Sequence, residues 1–180
     1  MSRRVFSRRA LLALGTAGAL SFVGRAAARA ATTPERALSF VHTHTGERAR
    51  VVYFAGGDYL SDGLSELERV LRDHYSGERH PIDTRLLDLL HALAGRVGAS
   101  QPFHVISGYR SPTTNATLAA RSGGVARRSL HMAGQAIDVR LPGCALATLR
   151  DAALALSAGG VGYYATSDFV HVDVGRVRRW

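Results

Sequence analysis

Two short runs hold the residues that could do chemistry: Ser129-Leu-His-Met-Ala-Gly-Gln-Ala-Ile-Asp138 and Asp168-Phe-Val-His171-Val-Asp173. Three nitrogen and oxygen ligands with one open position make a protein-bound zinc ion a hydrolytic catalyst. Strand alternation tests whether these residues can meet. In Ile137-Asp138-Val139-Arg140 the apolar residues face one way and Asp138 the other, and Val170, Val172 and Val174 share a face opposite His171 and Asp173. Asp138 and His171 are therefore expected on the polar side of a sheet whose other side is core. His131 precedes its strand by a turn in which Gly134 and Ala136 carry little bulk. A His131/Asp138/His171 site would leave a fourth position for water.

Other side chains surround that triad. Asp168, three residues before His171, could take a proton from activated water and pass it to a leaving amine. Asp173 is its rival as base, and could instead orient a ligand or bind Arg110. Arg110 ends its own strand as a fixed cation suited to an oxyanion. Ser129 is placed for a hydrogen bond behind His131 or for a substrate contact, and Tyr109 and Tyr164 are expected to contact substrate.

The elements that must position these residues follow from periodicity. Leu38–His42 and Arg50–Phe54 read as a hairpin about Thr45-Gly46-Glu47. Ser61 or Asp62 caps a helix with Leu64, Leu67, Val70 and Leu71 inward, ending near Tyr75-Ser-Gly77. Pro81-Ile82-Asp83 opens a second helix, whose apolar face runs from Leu86 to Val97. Phe103–Ile106 is a strand delivering Ser107-Gly-Tyr-Arg110, Thr114–Arg121 a short helix, and Ala136–Leu141 a strand. Ala145–Leu156 is helical, and Gly159–Tyr164 and Phe169–Val174 form a strand pair. The expected architecture is α+β: helices packed on a mainly antiparallel sheet. The tail Arg176–Trp180 reads as a basic surface end. His42-x-His44 lacks a third ligand nearby and reads as polar surface or strand residues.

Ser129-x-His131-x-x-Gly134-x-Ala136-x-Asp138 with a later acid-x-x-His resembles the zinc DD-peptidases of the M15 family, which share the Hedgehog fold. Ser107-Gly-Tyr-Arg-Ser-Pro-x-x-Asn115, Gly160-Val-Gly-Tyr-Tyr164 and Phe169-Val-His-Val-Asp173 resemble more closely the twin-arginine-exported branch that includes murein endopeptidases. The resemblance spans Leu38 to Trp180. It implies Zn2+ held by His131, Asp138 and His171, with peptidoglycan stem peptides or cross-bridges as substrate. Asp168 matches the general acid of the wider family.

Length and charge set bounds. The chain has 180 residues, room for one compact domain. Its formal charge is +9, but residues 1–30 hold six of the 23 arginines and no acid; the remaining 17 against 14 acids leave +3. That distribution argues against a nucleic-acid partner. Ser2-Arg-Arg-Val-Phe6, an apolar Ala10–Val23 stretch and Ala28-Arg29-Ala30 together read as a twin-arginine export signal over 1–30. It precedes a periplasmic, monomeric zinc peptidase domain over 31–180. The single cysteine, Cys144, excludes an internal disulfide. Two other readings remain open on these residues: a metal-containing module that binds the wall or a partner without catalysis, and a DD-carboxypeptidase trimming stem ends.

Overall fold

A computed structural model describes residues 34–122 and 124–180; the expected export signal lies outside them. Eight strands form one sheet in the order β3-β2-β1-β4-β5-β7-β6-β8. Their ranges are β1 Arg36–His42, β2 Arg48–Ala55, β3 Asp58–Tyr59, β4 Phe103–Ser107, β5 Ala136–Arg140, β6 Gly160–Tyr164, β7 Phe169–Asp173 and β8 Arg178–Arg179. Only the β1–β4 and β6–β8 pairings are parallel; the rest are antiparallel. Helices α1 (Ser61–Val70), α2 (Thr84–Arg96), α3 (Pro112–Arg121) and α4 (Leu146–Leu156) complete an α+β fold.

The helices form where the sequence leads. Asp83 caps α2 by accepting the Arg85 N–H, and Ser111 caps α3 by accepting from Thr114, with Pro112 in the first turn. The apolar stripe of α2 (Leu86, Leu87, Leu90, Leu93) is buried against Leu38, Phe40, Ile137, Val139, Val170 and Val172 in one core. That core covers one face of the central strands and leaves the other face free for polar side chains.

Three boundaries depart from expectation. α1 begins after Leu60 with no side-chain cap and stops at Val70, well short of Gly77. The cause is Asp73, a buried carboxylate that accepts the N–H groups of Tyr75, Ser76 and, across the fold, Ser111. Those donors cannot also continue a helix. The tail is not a loose surface end: β8 pairs with β6 and carries Trp180 inward. Finally, His42 ends β1, as the strand alternative expected, but it is buried at 1% exposure with its ring 5.4 Å from that of His74, which excludes the surface alternative.

Two helical glycines should respond oppositely to alanine. A Cβ on Gly63 would sit 2.3 Å from the Val52 carbonyl oxygen, because α1 lies directly on β2; around Gly95 on α2 nothing lies within 4 Å. Gly63→Ala is expected to destabilise by about 1–3 kcal/mol. Gly95→Ala should stabilise by about 0.5–1 kcal/mol. Urea denaturation of the two variants beside the parent checks both signs.

Candidate metal centre

Register brings the site together. In the antiparallel β5–β7 pair, Asp138 lies directly opposite His171, so their side chains leave the same face side by side. His131 arrives from a 3₁₀ turn, Leu130–Ala133, capped by the Ser129 hydroxyl and closed by Gly134 at φ 64°. A Cβ on Gly134 would meet the Pro81 carbonyl oxygen at 2.1 Å. Glycine therefore serves both the left-handed turn and the close approach.

The ligand atoms converge tightly. His131 Nε2 lies 3.3 Å from His171 Nδ1 and 3.3 Å from Asp138 Oδ1, and His171 Nδ1 lies 2.8 Å from Asp138 Oδ1. Among the described residues this is the one group of three or more such side chains with ligand atoms close enough to share an ion. All three residues are buried.

The outer nitrogens decide what the inner ones are. His131 Nδ1 donates to the Gly108 carbonyl at 2.7 Å, and His171 Nε2 donates to Asp173 Oδ2 at 3.1 Å. Each imidazole thus spends its proton outward and turns a lone pair inward. With those tautomers two lone pairs and a carboxylate oxygen face one point, an arrangement that suits a cation. Two of the three edges, at 3.3 Å, match those of a tetrahedron with bonds of about 2.0–2.1 Å, ~3.3 Å, and the third, at 2.8 Å, is shorter. The donor set fits a divalent metal.

Electrostatics favour positive charge at this point. Burial alone would raise the Asp138 carboxyl, but His131 and His171 outweigh it and hold it well below the usual carboxylate range. Burial would lower His171, yet Asp138 and Asp173 beside it raise it. Burial also opposes ionisation of Asp173, but His171, Arg178 and the N–H groups of Gly160 and Gly175 keep it charged.

The remaining expected site residues fall in four places. Arg110, Ser129 and Tyr164 line the cleft over the triad, a cavity of about 550 Å³. Arg110 Nη2 stands 3.7 Å from Asp138 Oδ2, and its guanidinium donates to Ser107 Oγ and Asn115 Oδ1. Asp173 is fully buried with both oxygens engaged, by His171, Arg178, Gly160 and Gly175. Its place is behind a ligand, not at the reacting atoms, which corrects the expectation of a possible base. Asp168 sits on an exposed turn at φ 53°, paired with Arg140 at 2.9 Å. Tyr109 does not line this cleft: its ring belongs to the core and stacks on His80, and it borders a smaller neighbouring pocket with Arg110 and Asp138.

This constellation of a buried His/Asp/His triad with an adjacent arginine can be set against known proteins. A peptidase M15 family model described as peptidoglycan L,D-endopeptidase MepK matches residues 30–180. The chain belongs to the M15 peptidases. It is 44% identical over 176 residues, 97% of both chains, to a protein of Escherichia coli strain K12 named peptidoglycan L,D-endopeptidase MepK. A Shigella flexneri protein of the same name is equally similar, at 44% over 97% of each chain. A probable peptidoglycan L,D-endopeptidase MepK of Haemophilus influenzae is 36% identical over 92% of this chain and 90% of its own.

Several residues of this M15 peptidase site were not assigned from sequence. Asn115 is buried; it accepts from Arg110 and donates to the carbonyls of Ala126 and Arg127, tying the cleft's cation to its rim. Arg178 and Trp180 line the cleft from β8. The three glycines at 159, 160 and 162 were the available signal, because glycine within a strand marks a close approach.

Because Asp173 fixes the His171 ring, Asp173→Asn is expected to weaken divalent-metal binding by about tenfold to a hundredfold. Competition with a chromophoric zinc chelator, with circular dichroism to establish an intact fold, checks this.

Proposed function

We propose that this M15 peptidase is a zinc-dependent peptidoglycan endopeptidase of the L,D class, hydrolysing an amide within stem-peptide cross-links outside the cytoplasm. The observation that carries the reading is the convergence of three ligand atoms at the floor of an open cleft lined by Arg110. The names of the relatives at 44% and 36% identity supply the substrate class.

Held by His131, Asp138 and His171, a zinc ion would supply Lewis acidity to water and to the scissile carbonyl. The protein's own groups do the rest. Arg110, clamped by Ser107 and Asn115, stabilises negative charge as it develops on the carbonyl oxygen. Its position is prepaid by those hydrogen bonds, so little reorganisation accompanies reaction. Asp173 keeps His171 in the tautomer whose Nδ1 faces inward. Asp168 serves as the base and then the acid for the leaving amine, giving up its exposed contact with Arg140 when substrate enters. It takes this role because the other two nearby carboxylates are committed, Asp138 to the ligand set and Asp173 to His171. Ser129 and Tyr164 contact the bound peptide from the cleft wall.

We place this domain in the periplasm on the strength of residues 1–30, read as a twin-arginine export signal. We read it as a monomer.

Purified cross-linked muropeptides incubated with the zinc-loaded chain and analysed by mass spectrometry test the reading. The expected result is conversion of dimers to monomers by the wild type and none by His131→Ala, with fragment masses naming the bond. Release of only a terminal residue would replace the endopeptidase with a carboxypeptidase. Binding of zinc and muropeptide without hydrolysis would replace it with a non-catalytic module. Asp168→Asn should lower kcat by at least about a hundredfold, the scale of a lost general base, with metal content unchanged.

A further inference from the structure

The strongest unassigned feature of the cleft is the wall built by β8. Trp180 lines the cleft, its ring centroid 5.2 Å from that of His171. Its seat is specific. The backbone of Trp180 donates to Val161 O and accepts from Tyr163 N, while the indole N–H donates to Tyr164 Oη at 2.8 Å. Gly162 lies opposite His171 in the β6–β7 register, and a Cβ there would approach the indole to 2.7 Å. Only glycine leaves room for the ring.

A second link holds this wall to the metal ligands. Arg178 lies over the indole at 4.9 Å and pairs with the buried Asp173 at 2.7 Å. The same Asp173 oxygen accepts from His171. Tyr164 and Phe169, which also line the cleft, stack at 4.5 Å. With the Arg178 charge neutralised and the indole N–H satisfied, this side of the cleft offers apolar aromatic surface, and Trp180 remains half exposed.

We infer that Trp180, seated on Gly162 and backed by Tyr164 and Phe169, forms a substrate subsite for the aliphatic part of the residue flanking the scissile amide. Reach decides which part of the substrate this is. An extended peptide advances about 3.3–3.6 Å per residue. A ring so near a metal ligand therefore touches the immediate neighbour of the attacked bond, not a sugar several residues away. Trp180 is thus a positioning and specificity residue, not a catalytic one. The inference rests on the peptidase reading above.

Trp180 is the sole tryptophan of the chain, so the subsite reports on itself. Titrating the zinc-loaded protein with purified cross-linked muropeptide should change its indole emission saturably and shield it from acrylamide. In turnover assays Trp180→Ala should raise KM about tenfold with kcat within about twofold and zinc content unchanged. Trp180→Phe should recover most of the KM, and Gly162→Val, which evicts the ring, should reproduce the Trp180→Ala value. An emission indifferent to saturating muropeptide, or a KM that does not move in Trp180→Ala, overturns the subsite while wild-type hydrolysis leaves the peptidase reading standing. Loss of zinc in step with activity in all three variants also overturns it, since the wall would then be purely structural. Shielding of the indole without any wild-type hydrolysis keeps the subsite and removes the peptidase reading.

Discussion

Two imidazole nitrogens and a carboxylate oxygen crowd one buried point, and the rest of the molecule holds them there. The protein sustains the cluster by answering each group from behind. Gly108 O takes the outward proton of His131, and Asp173 takes that of His171. Asp173 is in turn held by Arg178 and two backbone N–H groups. Buried charge is tolerated only when paired and hydrogen-bonded in this way.

The sheet contributes register. Because Asp138 faces His171 across β5 and β7, a slip of one residue in either strand would turn its ligand away from the cleft and expose its core face. The apolar partners Ile137, Val139, Val170 and Val172, all fully buried, defend the register from the other side. Core packing and ligand placement are thus two faces of one strand pairing.

Much of this was legible in the sequence. The period-two alternation of residues 137–140 and 170–174 put Asp138 and His171 on a common face, and the apolar stripe of α2 marked the covering layer. Pro81-Ile82-Asp83 marked the start of α2, whereas α3 begins at Pro112, two residues before the expected Thr114, because Ser111 caps it. Unreadable were features set by contacts distant in sequence. Asp73 ends α1 early by recruiting Ser111, 38 positions away. Tyr109 looked like a substrate contact beside Arg110, yet it follows the end of β4, where its N–H bonds to the Leu71 carbonyl and its ring stacks on His80. The tail 176–180 has no periodicity of its own, and an ion pair and a vacant glycine position draw it onto the sheet. His42 lies at a hairpin end, where burial against His74 depends on the loop after α1.

The short segment 108–110 joins two parts of the centre that chemistry would treat separately. Gly108 O anchors the His131 ring, while the Arg110 N–H donates back to the His131 carbonyl at 3.2 Å. Ligand and cation therefore ride on one closed loop of hydrogen bonds, and neither can shift to suit an ill-fitting amide without dragging the other. Asn115 extends that unit to residues 126 and 127 of the rim, whose carbonyls accept from it, so metal ligand, cation and rim are set together before any substrate arrives.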